Sequence, residues 1–109
     1  MPDGRVLLDL IRKRADQRIL FSQHAVAQMS RPERMITPIE IRKVISTGEI
    51  IEDYPGHRRG PCCLVYARVS RGRNLHVVVT TEKIPPRVIT VYEPKPPYWV
   101  TPRQRRRAR

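Results

Sequence analysis

Two histidines, His24 and His76, are the residues whose chemistry stands out in this 109-residue sequence, beside a large surplus of arginine. Imidazole has an unperturbed pKa of about 6.5, so near neutral pH one ring can accept a proton while another donates one. Arginine can donate two parallel hydrogen bonds to a phosphate. These residue types suit cleavage of RNA by its own 2′-hydroxyl, which needs a base, an acid and cations around the phosphate.

The predicted strands of the second half carry most of the other candidate residues. Strand side chains alternate between the two faces of a sheet, so each strand divides into two sets. One set in each strand is apolar, including Val65, Val77 and the pair Ile89 and Val91. The other sets together offer Tyr66, Arg68, His76, Thr80, Thr90 and Tyr92. We therefore predict that one face packs against helices and the opposite face forms the site.

The charge of the chain points to a polyanionic partner. Lys and Arg number 22 against 10 Asp and Glu, a net charge of +12. Such an excess favours binding to a nucleic acid or to an acidic protein. Five arginines lie in residues 103–109. Because like charges repel, we expect residues 101–109 to be a disordered basic tail that follows one domain over residues 1–100.

Further basic candidates lie on loops. We predict phosphate contacts from Arg58 and Arg59 in the loop around His57, although the same loop would also suit a solvated turn. Arg31 is a third loop candidate, and Arg68 and Tyr66 on a strand complete the predicted RNA-binding set.

Helices come first and strands follow, which predicts an α+β fold. Helices are expected over 4–16, 23–30 and 38–46, the last two with N-caps at Ser22 and Thr37 and the last ending at Gly48. A short strand at 19–21 and four longer ones complete the pattern, at 49–54, 62–70, 74–81 and 87–93. The prediction is a roughly four-stranded antiparallel sheet with the N-terminal helices packed on one face.

The sequence argues against a membrane-spanning protein, an exported protein and a protein held together by disulfides or zinc. No apolar run approaches the length of about 20 residues that a membrane helix needs, and no export signal is recognisable. Cys62 and Cys63 are adjacent and cannot form a disulfide framework. They also lack the spacing of zinc ligands, so we predict no metal and no cofactor. A reduced, cytoplasmic protein is expected.

Four motifs in order resemble a known family. They are Ser22–Ala25 with Met29, Gly48–Pro55, His76–Val79 and Thr90–Pro94, and together they are similar to the family catalogued as domain of unknown function 4258. That family has been grouped with the barnase-like, EndoU-like, colicin-type and RelE-like ribonuclease toxins. The resemblance implies a metal-independent endoribonuclease that acts on RNA, free or on the ribosome, and it also implies a role as the toxin of a toxin–antitoxin pair.

Site residues follow from this resemblance. It implies His24 and His76 as the catalytic histidines, with Thr90 and Tyr92 as the closing hydroxyl pair; we assign His24 as base and His76 as acid, and the two roles are exchangeable. It also implies an acidic or zinc-finger antitoxin as partner. Where members often carry a basic residue before the methionine, this chain has Gln28, and Arg31 or Arg34 offers a replacement charge.

Two alternatives stay open at this point. A non-catalytic basic module that binds RNA or a protein on the same fold would also explain the charge. Tyr98 and Trp99 would stack on bases in a single-stranded RNA binder, but a clasp that packs the C-terminal segment against the sheet is the favoured interpretation.

Overall fold

A computed structural model describes residues 12–13, 18–83 and 85–105. These residues form two α-helices, a five-stranded sheet and a separate two-stranded hairpin. The elements are β1 (Leu20–Phe21), α1 (Gln23–Met29), α2 (Pro38–Thr47), β2 (Glu49–Tyr54), β3 (Cys62–Arg68), β4 (Asn74–Thr80), β5 (Arg87–Tyr92), β6 (Trp99–Thr101) and β7 (Gln104–Arg105). The helix predicted over residues 4–16 lies outside the described residues except for Arg12 and Lys13, which are helical.

Both described helices begin at the predicted caps. The Ser22 side chain accepts a hydrogen bond from the Ala25 N–H at 3.0 Å, and Thr37 and Glu40 form a reciprocal capping box. These side chains satisfy N–H groups that the first turn leaves free. Helix α2 ends at Gly48, where a Cβ would lie 2.4 Å from the carbonyl oxygen of Val44. Close packing, rather than left-handed backbone, therefore requires glycine at this position.

The sheet has the strand order β1-β5-β4-β3-β2 and is mixed. Strands β2 to β5 are the four predicted strands and pair antiparallel, whereas β1 pairs parallel with β5. The α+β prediction is confirmed, but the antiparallel prediction is wrong at this edge. Backbone hydrogen bonds hold β1 in place, including the one from the Leu20 N–H to the Pro86 carbonyl at 2.9 Å. Two residues are too few for a sequence pattern to indicate their partner.

The main core lies between the helices and one face of the sheet, which we call the helix face. Strands β3 and β4 contribute alternate residues to it, such as Val65 and Val77. The helices contribute Ala25 from α1 and three residues from α2: Ile41, Val44 and Ile45. All four are buried. This apolar stripe at helical spacing is the pattern that predicted α2.

The opposite face, which we call the histidine face because it carries His76, is covered by residues 99–105, the C-terminal hairpin. Strands β6 and β7 pair antiparallel, and the buried Trp99 packs on a smaller apolar cluster of that face. The boundary predicted at residue 101 falls inside this hairpin, because residues 101–105 are folded into it. Residues 106–109 lie outside the described residues.

Two β-bulges change which side chains face which side. In β5 the register shifts so that Val88 is opposite Val79 and Thr90 is opposite Val78. Ile89, predicted to share a face with Val91, therefore packs in the cluster of the histidine face. A similar shift in β2, between Ile50 and Glu52, turns Glu52 to the histidine face, opposite Leu64.

Within the described residues, no helix is long and apolar enough to span a bilayer.

Candidate functional site

His76 lies at the centre of the histidine face and is fully buried. Its Nε2 is 2.7 Å from the carbonyl oxygen of Pro102, and its Nδ1 is 3.3 Å from the hydroxyl of Tyr92. A carbonyl only accepts, so Nε2–H donates to Pro102 and the Tyr92 hydroxyl donates to Nδ1. Burial lowers the pKa of His76, which keeps the ring neutral in this state.

Aromatic rings enclose His76 on three sides. The ring centroids of Tyr66, Tyr92 and Trp99 lie 5.7, 5.2 and 4.4 Å from that of the imidazole, all in edge-on orientations. The Tyr66 hydroxyl donates to Asn74 Oδ1 at 2.7 Å, and burial raises the pKa of Tyr92. The face therefore presents the neutral hydroxyl of Tyr92 beside one imidazole.

A carboxylate adjoins this cluster. The bulge in β2 brings Glu52 and Tyr54 to the histidine face, where the tyrosine hydroxyl donates to the carboxylate. Arg105 donates to both oxygens of Glu52, at 2.9 and 3.1 Å, and this contact is the main reason that the pKa of Glu52 is lowered. The charges of Glu52 and His76 also influence each other's pKa, each favouring the charged form of the other. Glu52 is thus an ionised carboxylate within electrostatic reach of the imidazole.

Two arginines of the C-terminal hairpin lie over the same face. The Arg103 guanidinium is 5.0 Å from the ring centre of Tyr66 and its Nε is 2.5 Å from Glu49. The Arg105 guanidinium lies 4.6 Å from the ring centre of Trp99. Beside the hairpin, an open cavity of about 390 Å³ is lined by Tyr66, Arg68, Arg103 and their neighbours. Two guanidinium groups and a phenol ring at one cavity provide donors suited to a phosphate.

The four predicted catalytic residues divide into two groups. Tyr92 lies directly opposite His76 and Thr90 opposite Val78, so both hydroxyls lie on the histidine face, as the alternation predicts. His24 does not join them. It is exposed on α1, which packs through Ala25 on the helix face. The structure therefore brings together His76, Thr90 and Tyr92, and it leaves His24 on the other side of the sheet.

His24 takes part in a separate chain of polar contacts. Its Nε2 is 3.4 Å from the side-chain nitrogen of Gln28, and the Gln28 oxygen accepts a hydrogen bond from Arg34. Of the two arginines considered as a replacement charge, Arg34 reaches Gln28, whereas Arg31 is an exposed loop residue. A cation is thus linked to the helix histidine through the glutamine.

The loop arginines Arg58 and Arg59 are exposed between β2 and β3. His57 Nδ1 accepts from the backbone N–H of Arg59 at 3.1 Å, and backbone hydrogen bonds close the turn on itself. In the part of the chain that the structure describes, these arginines and Arg31 make no hydrogen bond or ion pair with the histidine face. Arg68 and Tyr66 are the predicted RNA-binding residues that do lie at this face.

The described residues offer neither a reactive cysteine nor a cluster of metal ligands. Cys62 and Cys63 are both fully buried, and burial raises the pKa of Cys63 to about 12. A reactive thiol is exposed and has a lowered pKa. Over residues 12–13, 18–83 and 85–105, no three His, Cys, Asp or Glu side chains are grouped so as to hold a metal.

Sequence reasoning missed Glu49, Glu52 and Tyr54, as well as Arg103 and Arg105 as site residues. Simple alternation along β2 puts Ile50, Glu52 and Tyr54 on one face, and the bulge separates the isoleucine from the other two. The adjacent apolar pair Ile50 and Ile51 was the available signal, because two consecutive apolar residues break the alternation of a half-buried strand. The two arginines belonged to a segment whose composition indicated disorder.

The fold and the site define a small α+β protein whose sheet has one apolar face and one face of polar and aromatic residues. The family model Domain of unknown function (DUF4258) matches residues 21–93. This chain belongs to that family. The matched segment runs from Phe21 of β1 to just past the end of β5 and contains His24, His76, Thr90 and Tyr92. The C-terminal hairpin lies beyond it. No curated protein and no solved structure matches the chain.

Proposed function

We propose that this protein is a metal-independent endoribonuclease that binds RNA on the histidine face and cleaves it through the 2′-hydroxyl. The observation that carries the proposal is the convergence of Glu52, His76 and Tyr92 on one face, beside arginines that can bind phosphate. The resemblance to ribonuclease toxins supports the same activity. A role as the toxin of a toxin–antitoxin pair, acting in the cytoplasm on free or ribosome-bound RNA, is part of this proposal.

An acid–base pair of Glu52 and His76 replaces the pair of histidines expected from the sequence. Two imidazoles on opposite sides of the sheet cannot act on one phosphate, whereas a carboxylate and an imidazole on one face can. Glu52 takes the proton of the 2′-hydroxyl, whose oxygen attacks phosphorus. The bond to the 5′-oxygen breaks, and the His76 imidazolium gives that oxygen its proton. The products carry a 2′,3′-cyclic phosphate and a 5′-hydroxyl.

The surrounding side chains have the donors that this reaction needs. Negative charge grows on the phosphate oxygens in the transition state, and fixed donors or cations stabilise it. Once His76 is the imidazolium, its Nδ1–H donates to the Tyr92 oxygen and the Tyr92 proton is available to the phosphate. Tyr92 and Thr90, on the same strand, are therefore proposed as hydroxyl donors. Arg68 and Arg103, at the edge of the cavity with Tyr66, are proposed to bind the flanking phosphates.

Cleavage of isolated mixed RNA in excess EDTA tests the proposal, and translating ribosomes, kept in their Mg²⁺ buffer, are the second substrate. We expect 2′,3′-cyclic phosphate ends from the wild type and a loss of about 100-fold or more in rate for His76→Gln and Glu52→Gln. His24→Gln is the matched control and retains the rate. Equal loss in His24→Gln would contradict the Glu52–His76 pair, and intact RNA on both substrates would contradict the activity.

A second candidate, a non-catalytic RNA-binding module, is favoured by the burial of His76. Both ring nitrogens are already hydrogen-bonded within the protein, while Tyr66, Arg68 and Arg103 border an open cavity. The module would bind RNA through that cavity and leave it intact. Binding of wild type to RNA with a salt dependence that Arg68→Gln reduces, together with uncut RNA, is its signature.

An acidic antitoxin is proposed to bind elsewhere on the surface. A groove of about 580 Å³ is lined by Arg34, Arg71 and Arg73 around the exposed apolar side chains of Met35 and Ile39. Glu40 also lines the groove and pairs with Arg73 at 2.6 Å, so the net positive charge comes from Arg34 and Arg71. Cations around apolar side chains complement an acidic partner that carries apolar anchors. In hydrogen exchange of the complex with a candidate antitoxin, we expect protection at residues 34–40 and 70–73. Protection confined to residues 99–105 would contradict this location.

A further inference from the structure

The site proposed for RNA is covered in this structure by the chain's own C-terminal hairpin. Trp99, which is 4% exposed, packs on the histidine face, and the Pro102 carbonyl accepts the hydrogen bond of His76 Nε2. No RNA phosphate can reach His76 while these contacts exist. The hairpin also lies outside residues 21–93, the segment that the family model matches.

Ion pairs from two arginines help to hold the hairpin on this face, beside the contacts of the same guanidinium groups with Tyr66 and Trp99. Arg103 pairs with Glu49 at 2.5 Å and Arg105 pairs with Glu52 at 2.9 Å. The Arg103 and Glu49 side chains are 64% and 51% exposed, so solvent and salt weaken their attraction. A polyanion would compete with the two glutamates for the same guanidinium groups, since arginine binds phosphate as well as carboxylate.

We propose that the C-terminal hairpin is an internal cover of the RNA site and that RNA opens it by drawing Arg103 and Arg105 from Glu49 and Glu52 onto its phosphates. This inference rests on the proposed function, because it takes the histidine face as the place where RNA binds. The exchange leaves the Glu52 carboxylate free to act as a base. It also uncovers His76 at the moment when substrate arrives.

Opening would change the protonation of the imidazole as well as its access. Burial lowers the pKa of His76, and the positive charge of Arg105 lowers it further, whereas the Pro102 hydrogen bond and the charge of Glu52 raise it. Departure of the hairpin removes the burial, the cation and the carbonyl but leaves Glu52, which faces the ring from β2. Tyr66 and Tyr92 face it from β3 and β5. The net change favours the imidazolium that the acid role needs.

Glu49→Gln in the full chain is the test variant, because it breaks one ion pair and keeps every arginine. Modification of His76 by diethyl pyrocarbonate, followed by mass spectrometry with the exposed His24 as internal reference, reports the cover without RNA. Loss of one exposed ion pair predicts a rise of about two- to fivefold in the His76 rate. Glu82→Gln, an equal charge change at an exposed turn residue, is the control and leaves the rate unchanged.

The second measurement uses Trp99, the single tryptophan of the chain. A 2′-O-methyl RNA oligonucleotide binds without a nucleophile for cleavage. We expect its binding to shift Trp99 emission to longer wavelength as the ring leaves the face. If RNA binds and Trp99 emission does not change, the proposed opening of the hairpin is wrong. It is also wrong if His76 is modified at the same rate in the wild type and in Glu49→Gln. Either result leaves RNA binding itself intact. Absence of RNA binding, with a raised His76 rate in Glu49→Gln, overturns the proposed function instead, and with it the claim that RNA opens the cover.

Discussion

The two faces of the central sheet are filled in different ways. The helix face is closed by branched aliphatic side chains from α2 and the strands, all packed in one cluster. The histidine face is closed by rings, an imidazole hydrogen bond and two ion pairs to the C-terminal hairpin. Apolar packing is non-directional and strong in sum, whereas exposed ion pairs contribute little. The helix face therefore maintains the fold, and the histidine face is the one that can open.

The two faces also differ in backbone irregularity. Each of the two bulges adds a residue to the histidine face: Ile51 in β2 and Ile89 in β5. Bulges re-aim neighbouring side chains and are common beside functional sites. Glu52 follows the first bulge and Thr90 the second, so the two irregularities help to set the composition of the proposed site.

The largest expected effect comes from the helix face. Ile41→Ala should lower the free energy of unfolding by about 2–5 kcal/mol, because it removes a fully buried side chain from the main core. Urea denaturation followed by circular dichroism measures the change. Ile39→Ala is the matched control on the same helix, since that side chain is 79% exposed. Equal losses for the two variants would contradict the assignment of the buried side of α2.

The N-cap of α2 should give the second-largest loss of stability. Thr37→Ala removes the hydroxyl that accepts from the Glu40 N–H at 3.2 Å and should cost about 0.5–2 kcal/mol in free energy of unfolding. Ser46→Ala is the control near the other end of the helix, where the hydroxyl is exposed and donates to the Lys43 carbonyl. A cost at Ser46 as large as that at Thr37 would show that the capping box is not the cause.

The elements most accessible to sequence reasoning are those whose signals are local. Helix caps depend on residues within one turn, as at Ser22 and in the capping box of Thr37 and Glu40. The four long strands depend on alternation along the chain. The structure has all of these elements close to their predicted bounds. The division of faces in β3 and β4 follows in the same way, but alternation does not give the register. The structure adds the register, which places Tyr66 directly opposite His76.

The remainder depends on contacts between distant residues. The adjacent pair Ile50 and Ile51 indicates an irregularity in β2, but it does not show that Glu52 turns toward His76. Nothing in an arginine-rich tail indicates that Pro102 will accept a hydrogen bond from a strand histidine. The parallel pairing of β1 likewise results from docking two residues onto β5 after the chain has passed through both helices and three strands. The composition of residues 101–105 favoured disorder. The clasp was predicted for Tyr98 and Trp99, which precede them; Trp99 is buried as expected, whereas Tyr98 is 73% exposed.

Acid should weaken the protein through the histidine face. Burial holds the pKa of His76 below the value of the unfolded chain. The unfolded state therefore binds a proton more readily, and the stabilisation present above about pH 6.5 is lost as the pH falls toward the folded pKa. Unfolding free energies of the wild type should decrease over that window, and those of His76→Gln should decrease less. Val78→Ala, a destabilising change on the same face, should retain the wild-type slope.

The smallest expected effect is that of the hairpin ion pair itself. Arg105→Gln removes the contact with Glu52, in which the arginine is 48% exposed and the glutamate 27%. Its cost in global unfolding should be about 0–1 kcal/mol, because partly exposed pairs are screened by solvent. The same variant should nevertheless increase acrylamide quenching of Trp99, since the hairpin loses a contact at its end, and Arg87→Gln, an exposed arginine of β5, should not. A small change in global stability together with a clear change in Trp99 exposure is the result expected if this face opens without unfolding the other. A loss of stability as large as that of Ile41→Ala would mean that the hairpin is part of the main core.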